Sequence, residues 1–131
     1  MVLKKSLLKK FALSFSEIQK FQQFRYLLII KSFTDKSIRI TLYPLKNKDV
    51  IKLNIQDSDM FEDIFYKLTD FLKNYEIIHN SGLIEFNNYF IFECYLKLDL
   101  ESPEINQIEK FLDNIKNSTT LFSIEKIKFK R

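Results

Sequence analysis

Two segments of this chain carry apolar residues at helical spacing, and each is bracketed by segments in which apolar residues recur at every second position. That succession leaves the second half of the molecule very few folds. In "DSDMFEDIFYKLTDFLKNY", Phe61, Ile64, Phe65, Leu68, Phe71 and Leu72 form one stripe, and "SPEINQIEKFLDNIKN" repeats the pattern with Ile105, Ile108, Phe111, Leu112 and Ile115. Asp59 with Glu62 reads as a capping pair, and Ser102 before Pro103 places a hydroxyl at the N-cap and a ring at the first helical position. Around the stripes, Ile51, Leu53 and Ile55 alternate in "DVIKLNI", and Phe90, Phe92, Cys94, Leu96 and Leu98 alternate in "YFIFECYLKL". "EIIHNSGLIEF" reads as a strand interrupted near Gly82, and Asn87-Asn88 as a tight turn, because asparagine tolerates the left-handed conformation.

From about residue 49 the order is strand, helix, strand, strand, helix, strand. The expected class is α+β: a ferredoxin-like βαββαβ antiparallel sheet with two helices on one face. A β-hairpin precedes it, "RYLLIIKSF" and "IRITLYPL" around "DKS". At 131 residues the chain reads as a single domain, with 1–24 an N-terminal extension, helical or mixed, and 25–131 an α+β sandwich. Within the extension, Leu3, Leu7, Leu8 and Phe11 suit a short helix, Phe11, Leu13 and Phe15 suit a strand, and Ser14 with Glu17 could cap a further helix to Gln23. The terminal "LFSIEKIKFK" changes phase between Ile124 and Ile127, which predicts a bulge near Glu125.

Composition excludes more than it assigns. One Gly and two Pro in the whole chain rule out glycine-rich phosphate-binding loops. A lone cysteine, Cys94, forms no intrachain disulfide and points to a reducing, cytoplasmic setting. The longest apolar run, Leu27 to Ile30, falls far short of the roughly 20 residues of a membrane span. Four lysines before the first acid, Glu17, resemble an organelle leader, but arginine is absent from that stretch. Charge is segregated: residues 1–56 hold 12 basic and 3 acidic side chains, residues 57–118 hold 5 and 13. Such asymmetry serves attraction between regions or toward an acidic partner. With 18 Lys against 3 Arg, it is weak evidence for phosphate recognition.

No catalytic constellation emerges, so the chain is expected to be no enzyme and to hold no metal or cofactor. His79 is the single histidine, with no second ligand of its kind. Cys94 shares the phase of Phe92 and Leu96 and reads as core. Asp57, Asp59, Glu62 and Asp63 open a helix, where the unpaired amides favour negative charge. Glu93, among aromatics, reads as an ordinary sheet residue unless enclosed.

If the apolar phase of the strands faces the helices, Tyr89, Ile91, Glu93, Tyr95 and Lys97 face away, joined by Arg39, Thr41, Tyr43, Lys52 and Asn54. Tyr43, Tyr89, Ile91 and Tyr95 would then form a surface covered by protein, either the N-terminal segment of the same chain or, as a partner-binding surface, a second copy or another partner, since an uncovered sheet face of that composition is unusual for a monomer. The expected function is a non-catalytic protein–protein interaction or assembly module, an adaptor or homodimer that self-associates through this face. A competing reading stacks single-stranded RNA on the tyrosines with Arg39, Lys52, Lys126, Lys128 and Lys130 at phosphates. The glycines of an RNA-recognition signature are missing from "YFIFECY". A small-ligand regulatory domain is a third alternative, resting on fold analogy alone.

Overall fold

Both periodicities are realised where the sequence places them, but on two sheets. The computed structural model describes residues 2–4, 23–58 and 62–130. In chain order the elements are β1 (Val2–Lys4), β2 (Tyr26–Phe33), β3 (Ile38–Leu45), β4 (Ile51–Asp57), α1 (Glu62–Leu72), β5 (Ile77–Asn80), β6 (Ile84–Phe86), β7 (Tyr89–Leu96), α2 (Glu104–Ile115), β8 (Leu121–Lys126) and β9 (Phe129–Lys130). They fall into two compact units, one of residues 1–48 with 127–131 and the other of residues 49–126.

The unit of residues 49–126 has the ferredoxin-like order. Its sheet runs β5-β7-β4-β8, all neighbours antiparallel, with β6 also pairing β7. Leu68 and Leu72 of α1 and Ile105, Ile108 and Leu112 of α2 share one buried cluster with Ile51, Leu53, Ile55, Phe92, Cys94 and Leu96. Both helices therefore cover the same face. Phe71 stacks on Phe111 with ring centroids 4.0 Å apart, and the Tyr75 hydroxyl hydrogen-bonds Gln107 across the helix pair. Each fully buried Leu or Ile here contributes roughly 1.5–3 kcal/mol by leaving water, so the two stripes position the sheet strongly.

The ends of the elements follow local chemistry. α2 has Pro103 as its N-cap rather than Ser102, and Ser102, one residue earlier, accepts a hydrogen bond from the Glu104 N–H at 3.3 Å through its Oγ. The expected Asp59 cap of α1 lies outside the described residues, while Glu62 and Asp63 occupy the first turn. Asp57 ends β4 fully buried. Thr119 and Thr120 donate their hydroxyls to its two carboxylate oxygens, each at 2.6 Å, pinning the turn before β8 to the end of β4. The predicted interruption near Gly82 is present: register shifts between Ile77 and His79, and Gly82 adopts φ +66°.

The other unit is a sheet of order β3-β2-β1-β9. Leu27 to Ile30 are buried in succession, so both faces of β2 are covered there. Val2 to Lys4 form a strand antiparallel to β2 and parallel to β9, which replaces the helical start expected from Leu3; the other readings of the first 22 residues lie outside the described residues. The expected bulge near Glu125 is corrected. β8 pairs β4 in unbroken register to Lys126, and after Ile127 and Lys128 the chain enters the second sheet as β9. There Phe129 meets Tyr26 edge to face at 5.3 Å. The phase change marks a change of sheet.

Candidate interaction face

The helix-free face of the second unit's sheet is built in rows, because residues directly opposite one another point to the same side. Ile84 lies opposite Ile91, Ile91 opposite Gln56, and Gln56 opposite Leu121, a row across four strands. The next row toward the hairpin end is Phe86 opposite Tyr89. On the other side come Glu93, Asn54 and Ser123, then His79, Tyr95, Lys52 and Glu125.

These rows divide the face chemically. The hairpin end is uncharged and open: Phe86 is 61% exposed, Tyr89 46% and Ile84 43%. It is fixed by a two-residue turn in which Asn87 and Asn88 have φ of +49° and +65°, the combination a type I′ turn requires. Beside it, Asn54, Gln56, Leu121, Phe122 and Ser123 line a depression of about 160 Å³. Asn54 Oδ1 is buried and has no hydrogen-bond partner among the described residues.

The opposite end is charged and closed. Lys52 Nζ lies 3.5 Å from Glu93 and 5.7 Å from the centre of the Tyr95 ring, and His79 meets that ring edge-on at 6.0 Å. Burial would lower the Lys52 pKa, but Tyr95, Glu93 and Glu125 outweigh it and hold it above the usual lysine value. Burial raises Tyr95, against the pull of Lys52, and lowers His79, against that of Glu93. A phenol raised and an imidazole lowered are groups held neutral, which suits packing better than acid–base work at neutral pH.

Tyr89 and Ile91 thus stand where their sequence phase places them, with Ile91 half-buried. Tyr95 has the predicted phase but is only 9% exposed, so it is withdrawn as a contact residue: its neighbours cover it. Tyr43 and Arg39 belong to β3, on the other sheet, and so do not join this face. Lys52 is engaged with Glu93 and Tyr95. Lys126 is level with Ile51 on the helix-bearing side, Lys128 lies between strands, and Lys130 is in β9. Of the proposed phosphate-binding set, Lys52 shares this face with Tyr89, and there it is paired with Glu93. Sequence reading missed Ile84, Phe86 and Leu121. The two-residue turn was the available signal for the first two, since it forces Phe86 opposite Tyr89.

The remaining candidates are structural. Cys94 is fully buried, and burial pushes its thiol up to about 12. Asp57 is held by the two threonines. Among the described residues no group of three or more His, Cys, Asp or Glu side chains could hold a metal ion, and no helix is long and apolar enough to cross a membrane.

No family model matches the chain, and no curated protein does. Among solved structures, an ACT domain protein from Streptococcus pneumoniae aligns at 14% identity and TM-score 0.46, over 61% of this chain and 91% of that one. A likeness at that level assigns no function here.

Proposed function

We propose that the chain is a non-catalytic assembly module that associates with a second copy of itself through the uncharged end of its helix-free sheet face. The observation that carries this reading is the pair of adjacent rows, Ile84 with Ile91 and Phe86 with Tyr89, on one side of the β6–β7 hairpin, three of the four more than two-fifths exposed. Apolar and tyrosine-bearing patches of this kind are what interface cores use. Self-pairing brings identical side chains together, so it is favoured where a surface carries no net charge. This end has none, because the Lys52 and Glu93 charges lie beyond it and meet each other.

Sedimentation equilibrium of the wild type beside a Phe86→Asp, Tyr89→Asp double variant tests the reading. Both side chains are exposed, so the variant should keep its fold while its mass falls from dimer to monomer. A variant mass equal to that of the wild-type dimer would sink the assignment of the face. The melting temperature of the wild type should also rise with protein concentration alone; stabilisation only by a small metabolite would favour a ligand-sensing role instead.

A further inference from the structure

We propose that the β2–β3 hairpin is an arm that docks the chain on an anionic lipid surface. β1 pairs β2 only from Tyr26 to Leu28, so past Leu28 the hairpin is two strands wide among the described residues. Its far end, residues 31–40, is exposed at every position. Phe33 is 74% exposed there, Ile38 63% and Ile40 49%. Phe33 lies opposite Ile38 and Lys31 opposite Ile40, with Ser32 opposite Arg39 in the row between. Opposite residues share a side and successive rows alternate. One side of the arm is therefore Phe33, Ile38, Ile40 and Lys31, and the other is Ser32 and Arg39. Large apolar groups gathered in the open on one side mark a contact surface. The arm holds its shape without a partner: the Thr34 N–H donates to the Ser37 carbonyl at 2.9 Å, and the Ser37 N–H donates to Thr34 Oγ1 at 3.0 Å.

Charge selects the occupant. The unit that bears the arm carries 14 basic and 2 acidic side chains, so it repels a second copy of itself and attracts an anionic surface. Nucleic acid is anionic, but its bases stack on aromatic rings, and two of the three apolar side chains here are isoleucines. A lipid interface sets hydrocarbon directly beneath a layer of anions, which matches apolar side chains flanked by cations. The kind of cation agrees with this. Of the 14, 11 are lysines, point charges on flexible stems that suit a fluid layer of headgroups better than bidentate pairing with carboxylates in a protein groove. Lys31 can lay its stem along the apolar side and keep its ammonium at headgroup level. Because the tip, Thr34 to Ser37, is polar, the arm lies along the surface on its Phe33–Ile40 side and does not enter end-on.

The test is co-sedimentation of the full chain with vesicles of phosphatidylcholine alone and of phosphatidylcholine with phosphatidylserine in a two-to-one ratio. The wild type should bind only the second. Lys31→Gln with Arg39→Gln should lower the partition coefficient about fivefold for each charge removed, the attraction of one basic residue to such a surface. Phe33→Ser with Ile38→Ser should lower it at least about tenfold, because apolar area no longer leaves water. All four side chains are exposed, so each variant should keep the wild-type melt. The chain has no tryptophan, so Phe33→Trp supplies a single reporter whose emission should shift to the blue on the anionic vesicles alone. Absence of binding to them would overturn the proposal. So would binding that the serine substitutions leave unchanged, which would reflect the charge of the unit and not the arm. Tighter binding to a DNA or RNA oligonucleotide, equally indifferent to those substitutions, would transfer the charge to nucleic acid and overturn it as well. Sedimentation equilibrium of these variants without lipid should match the wild type, so failure of the arm leaves the self-association face standing.

Discussion

Tyr89 and Tyr95 sit on the same side of one strand, and a sequence pattern cannot tell them apart. Their surroundings can. Tyr95 has neighbours on both flanks, Lys52 from β4 and His79 from β5, whereas Tyr89, next to the turn, has among the described residues a paired strand on one flank, with Phe86 opposite it. Exposure is thus decided by which strands reach a given row, a property of register. The closed row also yields a pH prediction through His79. Its pKa is lowered in the fold by burial, against the opposing pull of Glu93, so the unfolded chain binds more protons as pH falls below the ordinary histidine value. The stability His79 contributes is therefore complete above the unfolded pKa of 6.5 and declines as pH drops from there toward the lower folded value. Denaturant midpoints compared between about pH 7.5 and 5.5, on either side of that range, should fall further for the wild type than for His79→Gln. Equal slopes would contradict this.

At the scale of elements, the two helices and the strands around them were legible because each carries one clean period. The start of α2 at Ser102-Pro103 was legible for the same local reason, to within one residue. The β6–β7 hairpin shows how far such reasoning reaches. Two asparagines in succession announced a tight turn, and both adopt positive φ, yet which residues face each other follows only from the turn having two residues. Asparagine pays some steric strain there that glycine does not. Asn88→Gly should therefore raise stability by about 0.5 kcal/mol, a modest gain because glycine also loses more backbone freedom on folding; urea denaturation would measure it, and a loss would indicate that the turn is of another kind. Val2–Lys4 and the chain end were misread for the converse reason. Leu3 fits a helical stripe locally, but the segment pairs with β2 and β9, which come from distant parts of the chain, and long-range pairing overrides a weak local preference.

At the scale of the whole chain, the charge segregation seen along the sequence coincides with the structural division. Residues 1–48 with 127–131 carry 14 basic and 2 acidic side chains, and residues 49–126 carry 7 and 15. The two units also differ in continuity. Among the described residues, every member of the cluster beneath the two helices lies between Ile51 and Ile124, so the excised segment 49–126 should fold and melt cooperatively by itself, as a self-contained core permits. Circular dichroism of that fragment should show one sharp transition; a broad, non-cooperative melt would mean its core is insufficient. The other sheet takes β9 from the far end of the chain, so a chain cut after Lys126 should lose amide protection in β1 while keeping it in β4 and β7. What the sequence determined by itself was the βαββαβ succession, the side of each strand that turns to the helices, and the absence of glycine-rich or multi-cysteine chemistry, because periodicity and residue chemistry act over a few positions. Only the tertiary structure decided that the hairpin and the chain end form a second sheet, that Tyr95 is enclosed while Phe86 and Tyr89 stay open, and that Asn54 lines a depression, because each depends on which distant strands become neighbours and in what register.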